Sequence, residues 1–289
     1  MLRRRNDSLT TTGTAGPPRE LLYKHRFHMA VALRDAWRSR ELMLTLAERD
    51  LRARYKQTTL GAAWAVLLPL MLMIVFTLFL QRVARFDTNG VPYPLFSYAA
   101  LIPWGFFAST VTTGGQSLIS NNSLLNKVAC PREVFPLAGA VTAGVDMLVS
   151  IGVFVILFAI ERFTPKLTTL WVPLLFVVQA VFTVAVALIV SAALVYVRDL
   201  RQALPIMLQL GLFATPVAYG MELIPQQFRT IYSFINPLAP VIDGYRRAVL
   251  LGLPPDWSLF GVGAFGAVLM LVGGYVFFKR LEVGFADVA

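Results

Sequence analysis

The sequence predicts an all-α integral membrane protein. Six transmembrane helices are expected with both termini inside, an amphipathic interfacial helix ahead of the first span, and two short re-entrant outer helices between spans five and six. Three observations carry this reading. First, six long apolar stretches run Gln57–Gln81, Thr88–Asn126, Val134–Ile160, Leu167–Val197, Gln202–Met221 and Trp257–Phe278, and about 20 apolar helical residues suffice to cross a hydrocarbon core ~30 Å thick. Backbone amides in lipid must be satisfied within the segment, so such stretches are helices. Second, 57% of residues are hydrophobic, 15% are charged, and the mean hydropathy is +0.65. Third, 13 of the 26 Lys and Arg precede residue 60, ahead of the first span.

That third observation fixes orientation. With the N-terminus inside, Lys127, Arg132, Arg198, Arg201, Lys279 and Arg280 also fall inside, while seven cations remain outside. The bias follows the positive-inside rule. It also explains the net charge of +10 without nucleic acid. Cys130 is the single cysteine, which excludes an intrachain disulfide and a cysteine metal site. Arg3–Arg5 lead into the polar stretch Ser8–Pro18 with no apolar core behind it, so the first span is expected to act as an uncleaved anchor.

Residues 1–29 read as a flexible cytoplasmic tail, the first 20 being rich in Thr, Gly and Pro. Residues 30–56 read as the amphipathic helix, with Leu33, Trp37, Leu44, Ala47 and Leu51 on one face and basic residues around it. It suits the inner membrane interface, or a packed position on a partner. Span one enters through Leu60-Gly61-Ala62-Ala63-Trp64 and contains Pro69, which neighbouring spans make tolerable. The loop Arg82–Pro94 lies outside, Leu118–Phe135 inside, Glu161–Thr169 outside and Val197–Gln202 inside. Met221–Asp256 is too long for a turn and too apolar for a solvated loop. Pro225 and Asn236-Pro237-Leu238-Ala239-Pro240 divide it into two short amphipathic pieces, 226–235 and 241–251. These either dip into the outer leaflet or form an extracellular loop.

Asp146 is the ionisable group well inside a span. A charge there costs about 2.5–3.5 kcal/mol on insertion scales, so it needs a partner or water. Thr142 and Ser150, one turn either side, are local donors; a polar contact between helices or a place on a substrate path both fit. The aromatic residues Tyr98, Trp104, Phe213 and Tyr219 suit either an interfacial belt or a channel wall for sugar rings. Arg246 and Arg247 suit either lipid headgroups or an anionic substrate. Small residues at Ala140/Gly144 and Gly263/Ala267 permit close helix approach. No Gly-x-x-x-x-Gly-Lys-Ser/Thr motif occurs, so the sequence offers no P-loop for nucleotide phosphates. No span or loop end collects the His, Asp and Glu that acid–base catalysis requires.

Four groups of residues carry a family resemblance. They are Arg49–Thr58 followed by Leu60-Gly61, Trp64 and Pro69-Leu70; Leu124–Lys127 leading to Pro131–Leu137; Asn236-Pro237-Leu238 with Tyr245-Arg246; and Phe278–Glu282 with Phe285-Ala286-Asp287. In this order around six spans, they resemble the permease subunit of type-2 ABC exporters, in the polysaccharide and O-antigen branch. The resemblance covers about residues 42–289 and makes 57–289 the permease domain. The tail and Cys130, placed before Pro131, depart from the pattern.

The resemblance implies a transport subunit rather than an enzyme, in a bacterial cytoplasmic membrane. It implies a second copy of the chain, two copies of an ATPase subunit that binds ATP and Mg, and a lipid-linked glycan as cargo, with no cofactor held by this chain. Under it, the inner loop becomes the coupling element. Ser123, Leu124, Leu125, Asn126, Lys127 and Val128 form a short helix ended by Pro131; the apolar residues fill a cleft in the ATPase, and Lys127 and Arg132 contact its rim. A type-2 permease for a drug or small lipid, a membrane-embedded lipid transferase and an ion-coupled transporter are the competing readings.

Overall fold

The computed structural model describes residues 38–56, 63–83, 88, 90–125, 130–164 and 166–285. Helix α1 is Arg40–Lys56, and α2 is Ala63–Phe76, continued by a π-helical segment Thr77–Val83. Helix α3 is Tyr93–Ser120, α4 the single turn Asn122–Leu125, and α5 Val134–Ile160. A 3-10 turn Leu167–Trp171 opens α6, Val172–Tyr196, and α7 is Leu200–Ala214. Helix α8 is Gln226–Ile235, α9 is Leu238–Arg246 with a π-helical end Arg247–Leu251, and α10 is Trp257–Glu282. No strand occurs among the described residues. The expected tail 1–29 and residues 30–37 of the interfacial helix lie outside them.

Four helices, α3, α5, Leu167–Tyr196 and α10, are long and apolar enough to cross a membrane. The expected first and fifth spans are represented by the shorter apolar helices Val66–Leu80 and Leu200–Ala214. The protein is therefore an all-helical, multi-pass membrane protein. Helix α7, at 15 residues, rises only about 22 Å, less than the hydrocarbon thickness.

Contacts fix the relative directions. Tyr98 packs on Phe154 and Gly114 on Pro136 and Gly139, so α3 and α5 are antiparallel. Phe106 meets Phe176 and Gly115 meets Val190, so α3 and α6 run together. Trp257 meets Trp171, and Gly274 lies against Ala185, so α10 runs with α6. Two ends result. One gathers α1, α4, the turn at Val197–Asp199 and the finish of α10. The opposite end gathers Val91, Glu161–Thr164 and the 221–256 segment. The glycines explain the closest crossings: a Cβ on Gly139 would stand 2.6 Å from Gly114 Cα. The expected small-residue contact at Gly144 is not used, since a Cβ there meets nothing within 4 Å.

Helix α1 turns Ala47 and Leu51 of the expected face inward, but not Leu44. Leu46 and Ala47 are buried, with Met43, Asp50 and Leu51 half-buried, while Leu44 is 54% exposed. The inward stripe is thus 43, 46/47 and 50/51, which still has helical spacing, and Arg54, itself exposed, reaches Asp146 and Thr113 with its guanidinium one turn later. Leu46 joins Leu118, Val134, Phe135, Phe278 and Phe285 in an apolar cluster. Arg49 Nη2 donates to Asn121 Oδ1 (2.8 Å) and Arg54 Nη2 to Thr113 Oγ1 (3.3 Å). The helix therefore climbs along α5, with Arg49 and Arg54 reaching across to α3 and its end.

Helix α9 is a buried, packed element, and α8 rests one face on α10 while Phe228, Ile231 and Ile235 stay exposed. Asp256 starts α10 as an N-cap, accepting from the Ser258 hydroxyl and the Ser258 and Leu259 amides. Those bonds, the hydroxyl first, hold its carboxyl below the usual range. Nine residues further, about 14 Å down the helix, Gly266 faces Phe234, and Gly263 faces Pro240. The Tyr232 hydroxyl donates to the Ala214 carbonyl at the end of α7. Gly211 of α7 touches Trp104, eleven residues into α3, so α7 stops well short of α3's outer end. The segment 215–223 and α8 occupy the remainder.

A Cβ on Gly266 would stand 2.5 Å from the Phe234 carbonyl oxygen. Gly266→Leu is therefore expected to lower thermal stability by about 1–3 kcal/mol or more through overpacking. Gly261→Leu, where nothing lies within 4 Å, should leave the melting temperature of the purified protein near wild type.

Candidate functional site

A cavity of about 610 Å³ lies between α2, α3 and α5, with Arg54 of α1 at one end. Leu68, Pro69 and Leu72 of α2 form one wall, and Leu101, Trp104 and Phe106 of α3 continue the apolar part. The other end is polar, with Ser109, Thr112 and Thr113 of α3 and Asp146 and Ser150 of α5. Arg54 Nη1 lies 2.6 Å from Asp146 Oδ2. Arg54 is the partner that the sequence did not supply for Asp146, 92 positions away. The local donors expected there bind elsewhere: Thr142 donates to the Ala138 carbonyl and Ser150 to Asp146's own backbone carbonyl. In this setting the pair offsets the cost of a charge within a span.

At the opposite end, Arg246 is 2% exposed. Its Nε donates to the Phe96 carbonyl (3.1 Å) and its Nη1 to the carbonyls of Pro216 (2.8 Å) and Tyr219 (2.7 Å). Its Nη2 donates to the Val217 carbonyl. The guanidinium also lies 3.8 Å from the Phe96 ring centroid. The expectation that Arg246 meets headgroups or a substrate anion is corrected by this placement. Its donors are taken up by the carbonyls of Pro216, Val217 and Tyr219, which lie outside any helix, and by that of Phe96 in the first turn of α3. Arg247 is half-buried and donates through Nε to the Pro254 carbonyl (3.0 Å).

At the end that gathers α1 and the finish of α10, Lys279 Nζ lies 2.6 Å from Glu133 Oε1 and 2.7 Å from Glu282 Oε2. Tyr275 donates to the same Glu133 oxygen (3.2 Å), and Arg132 donates to the Glu282 carbonyl (2.7 Å) while sitting over the Phe285 ring. Arg132, expected on the rim of an ATPase contact, is thus tied to the end of α10. Leu124 is half-buried against the inner apolar cluster, and Pro131 is half-buried beside it in sequence order with Arg132. Asn126, Lys127 and Val128 lie outside the described residues, as do the side chains of Ser123 and Leu125.

A family model described as "ABC-2 type transporter" matches residues 41–250. The chain belongs to that family. Among curated relatives, it is 30% identical to an O-antigen export system permease protein RfbA of Klebsiella pneumoniae, over 86% of this chain and 95% of that one. It is 29% identical to the protein of the same description from Myxococcus xanthus, over 86% and 96%. The polysialic acid transport protein KpsM of Escherichia coli is 25% identical over 81% and 91%. Membership makes this ABC-2 permease the membrane part of a transporter that works with an ATP-binding partner.

The aromatic residues singled out in the sequence separate in space. Tyr98 is fully buried inside the bundle against Phe154 (ring centroids 5.9 Å). Trp104, 6% exposed, borders the cavity. Phe213, 55% exposed, stands edge-on to Phe76, and the half-buried Tyr219 donates to the Phe213 carbonyl (3.0 Å). Residues that sequence reasoning passed over are Arg54, Glu133, Lys279 and the pair Gln179–Tyr245. The Tyr245 hydroxyl donates to Gln179 Oε1 (2.8 Å), and Gln179 Nε2 donates to the Pro103 carbonyl (2.8 Å), joining α9, α6 and α3.

Arg246→Lys replaces a fork of donors with a single ammonium. Each carbonyl left unpaired costs about 1–3 kcal/mol, so the variant should show a marked fall in melting temperature and in membrane abundance. Arg247→Lys, with one carbonyl at stake, should show little change in the same assays.

Proposed function

We propose that this chain is the transmembrane subunit of an ATP-driven exporter that moves a lipid-linked polysaccharide across the bacterial cytoplasmic (inner) membrane. The observation that carries the reading is similarity over nearly the whole chain to O-antigen export and polysialic acid transport permeases. This chain binds no cofactor of its own on this reading. ATP and Mg act on two copies of a separate ATPase subunit, and a second copy of this chain completes the pathway. The broad apolar faces left exposed on α2 (Leu68, Met71, Phe79) and α7 (Met207, Leu210, Phe213) support burial of both helices by lipid or by that second copy.

On the same reading α2, α3, α5, α6, α7 and α10 are the six spans, with N- and C-termini inside. Alternating directions of the contacting helices and the inner placement of Arg198, Arg201, Lys279 and Arg280 support that topology. Helices α8 and α9 re-enter the outer leaflet, a reading supported by Phe234 resting against Gly266 well below the start of α10. Irregular backbone at membrane depth persists where protein covers it, as Arg246 does for 216–219.

Two observations favour transport over a membrane-embedded transferase: the permease relatives and the mechanical link between inner loop and α10 through Glu133 and Lys279. ATP binding on the partner would move the inner loop and bias a bistable bundle. Co-expression with the ATPase encoded alongside it tests the reading. A stable complex that hydrolyses ATP and places glycan outside is the expected result. Changing Leu124 and Leu125 together to Asp should uncouple or release the ATPase, with the permease's own melting temperature as control. A wild-type chain that never retains an ATPase, or a deletion strain with unaltered surface glycan, contradicts the proposal.

A further inference from the structure

The cavity between α2, α3 and α5 has a composition that neither the fold nor the family assignment requires. Asp146 is twelve residues, about 18 Å, into α5 from Val134, and Val134 follows Glu133, which is paired to Lys279 at the inner end. The carboxylate therefore sits near the middle of a hydrocarbon layer ~30 Å thick. Arg54 reaches the same level from the end of α1, at 2.6 Å. An ion pair that served only to tie two helices together would need no space beside it. This one borders about 610 Å³ of cavity, within the range of roughly 300–1,000 Å³ typical of ligand sites.

The wall of that space mixes three chemistries. A guanidinium and a carboxylate stand side by side, together neutral. Ser109, Thr112 and Thr113 place hydroxyls on the one open stripe of α3, a helix otherwise largely buried. Trp104 and Phe106 add aromatic surface above them. A hydrocarbon chain has no use for the first two groups. An inorganic ion has no use for the third, and would favour a net charge. A polyhydroxylated chain uses all of them: sugar hydroxyls donate to the carboxylate, accept from the guanidinium and exchange with Ser and Thr, and the apolar faces of the rings lie against aromatic side chains.

From these groups we infer that Arg54, Asp146 and the Ser109–Thr112–Thr113 stripe form a saccharide-contact station at mid-membrane. A short stretch of the passing glycan is held there against Trp104. The station rests on the polysaccharide reading and adds its residues. It also moves the expected contact surface from the dispersed aromatics to one wall of α3. Because Arg54 belongs to α1, whose Arg49 is bonded to Asn121 beside α4, movement of the inner loop would alter the station directly.

The test uses full-length permease with its ATPase in native membranes, in a Cys130→Ser background. Single cysteines replace Ser109 or Thr112 in the cavity, or Thr183, which is fully buried on α6. A charged, membrane-impermeant thiol reagent is the probe. The cavity cysteines should label at least about tenfold faster than Thr183→Cys. Labelling should slow when an ATPase variant unable to hydrolyse ATP stalls lipid-linked glycan in the complex, and recover in a strain that makes no glycan.

Absence of labelling at Ser109→Cys and Thr112→Cys means a dry, lipid-filled space and overturns the station. Rapid labelling that glycan never slows also overturns it, leaving a water-filled recess. Failure of the parent reading is distinguishable, because surface glycan would then not depend on the permease in any background. Arg54→Gln with Asp146→Asn removes the charges but keeps hydrogen-bonding shape. Export should fall about tenfold or more, as loss of hydrogen bonds to charged groups implies, while the complex assembles and hydrolyses ATP. Unchanged export in that double variant, with wild-type assembly, would contradict the role.

Discussion

The guanidinium of Arg246 is the contact on which the outer half of this protein depends. Helix α7 ends at Ala214, and the carbonyls of Pro216, Val217 and Tyr219 that follow have no helical partner. In a low-dielectric setting each would cost several kcal/mol if left bare. Arg246 answers those three and the Phe96 carbonyl at once. Their dipoles in turn solvate its charge, with the Phe96 ring 3.8 Å away. One side chain thus fixes the end of α7, the start of α3 and the end of α9 relative to one another. A lysine could not do this, since only the planar fork reaches several acceptors in fixed directions.

From there the packing extends to the opposite end through α10. Its upper glycines, Gly263 and Gly266, admit Pro240 and Phe234. Its lower end carries Lys279, which holds Glu133 at the foot of α5. The same 26-residue helix, about 39 Å long, therefore touches both the outer pieces and the inner loop. Glu133 is 6% exposed, so removing its partner would leave a buried charge uncompensated, a costly event. On the proposed function, a rod joined at both ends would carry displacement from an ATPase contact towards the outer pieces.

Much of this was legible in the sequence, and the exceptions have physical reasons. Hydropathy reports transfer free energy, so the long helices and their order could be read from composition. It does not report where an uncharged run breaks, and α7 stops at Ala214 although apolar residues continue to Met221. Asp146 stood out by its cost, but its partner Arg54 lies 92 positions away, beyond any periodicity. Arg246 looked like a surface cation because it stands beside Arg247 and arginines are rarely fully buried. Only the broken backbone around 216–219 explains its burial. In α1 two adjacent helical stripes were both apolar enough to choose, and packing selected Leu46–Ala47 over Leu44. The coupling loop was named from resemblance, and the structure adds that Arg132 is already committed to α10.

The most direct test of this account is amide hydrogen exchange of the permease in lipid nanodiscs, followed over 214–251. Amides donating within α8 and α9, and those of the Arg246-held segment, should exchange as slowly as the middle of α3. They are packed, and on this account lie at membrane depth away from water. Exchange within seconds across 221–251, at the rate of an open extracellular loop, would contradict the central claim that Arg246 locks these pieces into the outer half of the bundle.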